Sequence, residues 1–258
     1  MRFCSLGSGS GGNATVVEAR SGATTSRVLI DCGFSLRELE SRLVRAGLAP
    51  AELDAVFVTH EHGDHIGCAV TLARRHELPL CMSRGTWRAI GEPDLPGLLH
   101  IARDGESIEV GDLALMPYTV PHDAQEPLQL RCSDGASALG VLTDAGSVTE
   151  HLLAHLRGCQ ALLLECNHDR DMLAASSYPS SLKARIGGRY GHLSNEIAAQ
   201  ILAACTHSSL RHLVAAHLSE QNNRPQLAQQ SLANACGGSI DDIIVADPQR
   251  GFDWLTVG

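Results

Sequence analysis

Short apolar, β-branched runs recur through the first part of the chain, at Arg2 to Leu6, Ala14 to Glu18, Val28 to Asp31 and Ala55 to Thr59, and predict strands. Between the third and fourth, SLRELESRLVRAGL spaces Leu36, Leu39 and Leu43 at helical intervals, with Ser35 and Glu38 in a capping-box pattern and Gly47 beyond the end. Further on, the pattern predicts a helix over Ile66 to His76, a strand at Leu80 to Met82 and a short helix around Thr86 to Ile90. Closely spaced strands follow at Ser107 to Val110, Leu113 to Val120, Leu128 to Cys132 and Ala138 to Thr143. Helices return at Val148 to Leu156, Glu196 to Cys205 and Pro225 to Cys236, where Pro225 suits a first helical position. Strands accompany them at Ala161 to Glu165, Leu213 to His217, Ile243 to Ala246 and Phe252 to Val257. Strands and helices mix throughout, with no low-complexity linker and no repeat. This predicts one compact domain over residues 1–258, an α/β sandwich with sheets inside and helices outside.

Composition narrows the class without changing that picture. A chain of 258 residues, 44% hydrophobic and 19% charged, has the make-up of a globular protein able to bury a sizeable core. The segment MRFCSLGSGSGGN lacks the basic and apolar regions of a signal peptide, and no apolar run approaches a membrane span, so a cytoplasmic location is expected. Nine cysteines scattered singly, with no Cys-x-x-Cys pair, argue against a disulfide framework or a zinc ribbon and read as small core residues. A net charge of -9 counts against a protein that coats nucleic acid, which needs a lysine and arginine surplus. One stretch differs: from Met172 to His192 there is no acidic residue, while Lys183, Arg185 and Arg189 are present. That stretch is either a solvated face or a local phosphate site. With 3% aromatic residues, rows of stacking platforms are not expected, and any nucleic acid would be held by its backbone.

The candidate chemistry lies in FVTHEHGDHIG, Phe57 to Gly67. A strand ending in His60 and a tight turn through Gly63 would bring His60, His62, Asp64 and His65 around a common point, and imidazole and carboxylate are ligands for zinc, manganese or iron. Four such groups in one loop could close a structural site by themselves. Three more follow predicted strands, however: His122 in TVPHDAQEP, Asp144 in GVLTDAG and His217 in VAAHLSEQNN. Together they look like a two-metal site.

The pattern His-x-His-x-Asp-His, then a distant His, Asp and His, resembles the metallo-β-lactamase-fold hydrolases. SLGSGSGGN, PHDAQEP, LLLECNHDRDML, YPSSLKARIGGRYGHLSN and AHLSEQNN look like the YycJ/WalJ-like branch, linked to DNA exonuclease activity. The resemblance implies an αββα sandwich of two mixed sheets with helices on the outer faces. It assigns His60, His62 and His122 to a first divalent ion and Asp64, His65 and His217 to a second, with Asp144 bridging. Gly63 stands where Ser is common in the family, and no ligand is missing; Asp31 resembles the acid that supports the metal loop, or is a simple turn cap. Two cations sharing Asp144 would hold a bridging hydroxide near neutral pH to attack a phosphodiester. Asp64, His192 and Glu165 are the expected catalytic residues, with His192 a candidate general acid oriented by Glu165; the alternatives for His192 are phosphate binding or a structural position before the Ser194 cap. His168 could face the site or the surface. Lys183, Arg185, Arg189 and Asn222 are the expected substrate-binding residues, although Asn222 and Asn223 also suit a turn before Pro225. The expected substrate is nucleic acid, DNA before RNA, without a membrane partner. A lactonase or thioesterase of the same fold is the alternative; Asp144 and His217, 73 positions apart, leave no room for the large inserted cap of some nucleases.

Overall fold

The computed structural model describes residues 1–258. Two seven-stranded sheets lie face to face. In the first, β1 (Arg2–Gly7), β2 (Ala14–Ser21) and β3 (Thr24–Ile30) form an antiparallel meander. Helix α1 (Leu36–Arg45) leads into β4 (Ala55–Phe57), which is parallel to β3. Helices α2 (Gly63–Ile66) and α3 (Ala69–His76) then lead to β5 (Leu80–Met82), and α4 (Arg84–Ala89) to β6 (Leu99–Ile101), both strands again parallel. The second sheet begins with antiparallel β7 (Ile108–Val110), β8 (Leu113–Thr119), β9 (Leu128–Ser133) and β10 (Ala138–Leu142). After α5 (Glu150–Leu156) come parallel β11 (Ala161–Glu165), β12 (His212–Ala216) and β13 (Ile243–Val245). Helices α6 (Arg170–Ala175), α7 (Ser180–Ile186) and α8 (Asn195–Cys205) fill the β11–β12 crossover, and α9 (Pro225–Cys236) fills the next. Finally β14 (Phe252–Thr256) returns to pair antiparallel with β1.

Alternation along the strands decides the layering. On β3, Val28 and Ile30 face the space between the sheets, where they join Phe3, Phe57, Leu115, Leu130, Val141 and Leu163. Leu29, between them, faces outward with Leu39 and Leu43 of α1 and Leu72 of α3. On β11, Leu162 and Leu164 likewise turn outward, against Leu152 and Leu156 of α5, Ile201 of α8 and Leu232 of α9. Both faces of each sheet are therefore apolar, as an αββα sandwich requires.

Several boundaries differ from the sequence pattern for local reasons. The helix expected from Ile66 to His76 is interrupted: Gly67 has φ +29, and a Cβ there would overlap the Cys32 carbonyl, so the chain turns between α2 and α3. The strand leading to the histidine cluster ends at Phe57, three residues before His60. Strand β6 and helices α6 and α7 were not predicted, and the basic stretch contributes Lys183 and Arg185 to α7. All nine cysteines are free, eight of them buried, and burial pushes the Cys4 thiol up to about 12. No helix is long and apolar enough to cross a membrane.

One ion cluster ties the first sheet together and makes a prediction. The buried Glu18 carboxylate accepts from Arg2 (2.7 Å), Arg20 (2.9 Å) and Arg27 (2.8 Å). Burial alone would raise its pKa, but Arg2 and Arg27 outweigh it and lower the value from 4.5 to about 2. A depressed carboxylate pKa contributes stability at neutral pH that is lost as the pH falls through the interval from about 4.5 to about 2. Glu18→Gln is expected to destabilise the fold at pH 7 by on the order of 1–3 kcal/mol. The difference from wild type should shrink toward zero by about pH 2 in urea titrations at stepped pH, the low end of the shift.

Candidate metal centre

The chain leaves its strands along one rim of the sandwich, and the polar groups collect there. Asp31 follows β3, His60 to His65 follow β4, His122 follows β8, Asp144 follows β10, Glu165 ends β11 and His217 follows β12. The Leu128 N–H donates to the Thr59 carbonyl (3.0 Å) and so joins the two sheets beside the histidine loop. Asp31 and His217 both take positive φ, +61 and +54, a conformation that costs energy for non-glycine residues and persists where the surroundings impose it.

His65 and His122 are each oriented by a partner behind them. Buried Asp31 accepts from the Thr59 N–H (2.8 Å) and hydroxyl (3.0 Å), and its Oδ2 lies 2.8 Å from His65 Nδ1. With Nδ1 held by Asp31, His65 directs Nε2 at Asp144 Oδ2 (2.9 Å) and Asp64 Oδ2 (3.6 Å). His122 Nδ1 donates to the Gly191 carbonyl (2.9 Å), which leaves its Nε2 directed at His62 Nδ1 (3.3 Å). His60 Nε2 is 3.0 Å from the same His62 atom. His217 Nε2 lies 3.3 Å from Asp64 Oδ2, and its Nδ1 lies 3.3 Å from Asp144 Oδ1. Two donor sets result, His60/His62/His122 and Asp64/His65/His217, each with donor atoms within 4.8 Å of one another. Asp144 is in reach of both, since its Oδ1 is 3.8 Å from His122 Nε2.

These donors fit divalent cations. His60, His62 and His122 direct ring nitrogens at one another, and the buried Asp144 Oδ2 accepts no hydrogen bond, an arrangement costly to bury unless a cation satisfies it. Protonation favours the same conclusion for His60 and the two carboxylates. Burial, with nearby His65, holds His60 well below the usual imidazole range, so it stays neutral. Burial would raise both Asp64 and Asp144, yet the surrounding histidines outweigh it and lower both, well below the usual range for Asp144. Neutral imidazoles and ionised carboxylates are the ligand forms. Burial would lower His65 and His217 too, but Asp144 outweighs it, holding His65 well above the usual imidazole range and His217 at about 9, so a cation bound there displaces protons.

Beside these sets opens a cavity of about 350 Å³ lined by Ser10, Asp64, Asp123, Arg185, His192 and His217, among others. His192 Nδ1 donates to Glu165 Oε1 (2.8 Å) and lies 3.1 Å from Asp144 Oδ1. Glu165 is fully buried and fixed by the N–H groups of Ala145 (2.8 Å) and Leu193 (3.3 Å). Burial would lower the His192 pKa, but Glu165 and Asp144 reverse this and hold it well above the usual range.

The expected substrate-binding residues divide. Arg185 lines the cavity and pairs with Asp123 (2.6 Å). Lys183 instead donates to the Ala174 carbonyl (2.6 Å), and Arg189 lies over the Tyr190 ring, 5.5 Å from its centroid. Asn222 is buried, bonded to Ser219, and outside the cavity lining, as is His168, whose carbonyl accepts from the Asn195 N–H (2.9 Å). Asp123 was missed by sequence reasoning although it follows His122 directly; its carboxylate lies 3.8 Å from His62 Nε2. Asn13 was also missed, and it donates through Nδ2 to the Asp64 carbonyl (3.3 Å).

Two mixed sheets carrying paired donor sets on one rim define a metallo-β-lactamase fold. Residues 26–218 match the β-lactamase superfamily domain, and the chain belongs to that family. It is 32% identical over 238 residues to the exodeoxyribonuclease WalJ of Streptococcus pneumoniae, across 90% of this chain and 87% of that protein. It is 34% identical over 236 residues to the exodeoxyribonuclease YycJ of Bacillus anthracis, across 90% and 88%. Among solved structures, the metallo-β-lactamase fold protein YhfI of Bacillus subtilis superposes with a TM-score of 0.74 over 98% of both chains, at 18% identity. Zn²⁺-bound PqqB of Methylobacterium extorquens superposes with a TM-score of 0.71 over 99% of this chain and 100% of that one, also at 18% identity. At such identities these two structures speak to the fold alone.

Proposed function

We propose that the protein is a metal-dependent exodeoxyribonuclease. The observation that carries this reading is the pairing of two donor sets around Asp144 with a His192 held on Glu165 in the same cavity. The similarity to two exodeoxyribonucleases over nine tenths of the chain supports DNA as the substrate. His60, His62 and His122 would hold one divalent ion, Asp64, His65 and His217 a second, and Asp144 both; zinc, manganese and iron all suit this set. When bound, the two ions supply a nucleophile from water at neutral pH and neutralise charge on the scissile phosphate.

The protein's own groups do the rest. His192 is held with Nδ1–H on Glu165, which leaves its other ring nitrogen to hand a proton to the departing sugar oxygen. Arg185, steered by Asp123, stands where it can bind a phosphate oxygen, and Lys183 and Arg189 add positive charge to the same stretch of an acidic chain. Asn222 donates from its N–H (3.1 Å) and Nδ2 (3.4 Å) to the Ser219 hydroxyl within the loop after His217.

The test is cleavage of end-labelled duplex DNA, single-stranded DNA and RNA with Mn²⁺ or Zn²⁺, beside a lactone and a thioester. Metal-dependent shortening of DNA from one end is the expected result. Turnover of the lactone or thioester without nucleolysis would move the chemistry from phosphorus to a carbonyl and overturn the reading.

A further inference from the structure

The glycine-rich segment between β1 and β2 has no part in the chemistry above, yet it is fastened to both metal-bearing loops. Asn13 Oδ1 accepts from the Ser8 hydroxyl (3.1 Å) and the Gly9 N–H (3.0 Å), and the Asn13 N–H donates to the Asp64 carbonyl (2.8 Å). On the other side, Ser8 Oγ accepts from the His217 N–H (2.9 Å). The Gly12 N–H closes the turn onto the Gly9 carbonyl (2.9 Å), and a Cβ at Gly12 would overlap the Gly33 carbonyl and the Phe34 ring. Between these anchors, Ser10 and Gly11 are exposed at the crest. Ser10 lines the cavity with Asp64, Asp144, His192 and His217, Gly11 follows it at the edge of a neighbouring cavity with Phe34 and Arg42, and neither residue's amide donates within the protein.

Consecutive unpartnered amides fixed in a loop form a concave donor site for anionic oxygen. We propose that the Ser10 and Gly11 amides, with the Ser10 hydroxyl, bind the phosphate next to the scissile one in a nucleic-acid strand. This rests on the phosphodiesterase reading above. The site is uncharged, so it does not compete with the metal centre for the scissile phosphate. Its rigid link to Asp64 and His217 fixes the distance between the two phosphate positions and so aligns the strand. Arg185 stands on another part of the cavity wall and can take a phosphate from a different direction.

The probes are three thymidine dinucleotides: TpT, its 5′-phosphorylated form pTpT and its 3′-phosphorylated form TpTp. With the metal-loaded protein, one phosphorylated form is expected to be cleaved roughly tenfold or more faster in kcat/KM than TpT, the factor due to charge-assisted hydrogen bonds. Ser10→Asp, which sets a carboxylate against the amides, should abolish that ratio, whereas the uncharged Ser10→Asn should retain a preference. Using a ratio within each variant cancels any general loss of activity. In parallel, ¹⁵N–¹H spectra titrated with the preferred dinucleotide should show the Ser10 and Gly11 amides among the largest shifts. Equal rates for all three probes, a preference that survives Ser10→Asp, or unmoved Ser10 and Gly11 amides would each overturn the proposal. If no dinucleotide is cleaved while the lactone or thioester is turned over, the nuclease reading falls, and the amide shifts alone then decide the fate of the loop site.

Discussion

Asp144→Asn is expected to lower kcat on DNA by about a thousandfold or more, the equivalent of the several kcal/mol attributed to paired metal ions. The substitution preserves size, so the loss arises from charge and donor pattern. In the wild type, His65, His192 and His217 all approach Asp144 oxygens within 3.3 Å. Asparagine has one acceptor oxygen and presents an NH₂ group that three ring nitrogens cannot all accommodate. A divalent ion that binds the folded state raises its melting temperature by mass action. That rise, measured with and without Mn²⁺ or Zn²⁺, should be clearly smaller in Asp144→Asn. A variant within tenfold of wild type in rate, with an undiminished metal-dependent rise, would show that Asp144 does not join the two donor sets.

His192→Ala is expected to cost about 10²- to 10⁴-fold on DNA, the range for general acid catalysis, and far less on bis(p-nitrophenyl) phosphate. Nitrophenolate leaves without being protonated, whereas a sugar alkoxide does not. The contrast between substrates therefore isolates proton donation from phosphate binding, which would affect both. Glu165→Gln should follow the same contrast at roughly 10- to 100-fold, since the Glu165 carboxylate orients the ring rather than touching substrate. Equal losses on both substrates would reassign His192 to binding.

The donor set was legible in the sequence because few residue types bind divalent ions and each of the distant ones follows an apolar strand. His122, Asp144 and His217 needed only the strand ends to be placed approximately. Asp123 was not legible, because one acid after a histidine is unremarkable until the Arg185 guanidinium is found 2.6 Å away. Arg185 and Lys183 could not be told apart, since the apolar pattern around them is too sparse to reveal α7, whose phase sends Arg185 to the cavity and Lys183 back to Ala174. The break at Gly67 depends on a backbone 35 positions away, with Cys32 filling the space a side chain would need. Strand β6 is three residues held by pairing with β5, a long-range cause that leaves no periodic trace. The layered fold itself was legible because its long strands and helices bury one face after another in regular alternation.

The distribution of donors over both sheets also sets when, during synthesis, the centre comes into being. The histidine loop after β4 emerges early and contains four donors, but His122, Asp144 and His217 lie progressively later, the last beyond β12. A nascent or truncated chain that stops before His217 carries a complete loop and an incomplete centre. On the proposed reading, a product that ends before His217 would lack one donor of the Asp64/His65/His217 set, so activity would await synthesis through β12 and the residue after it.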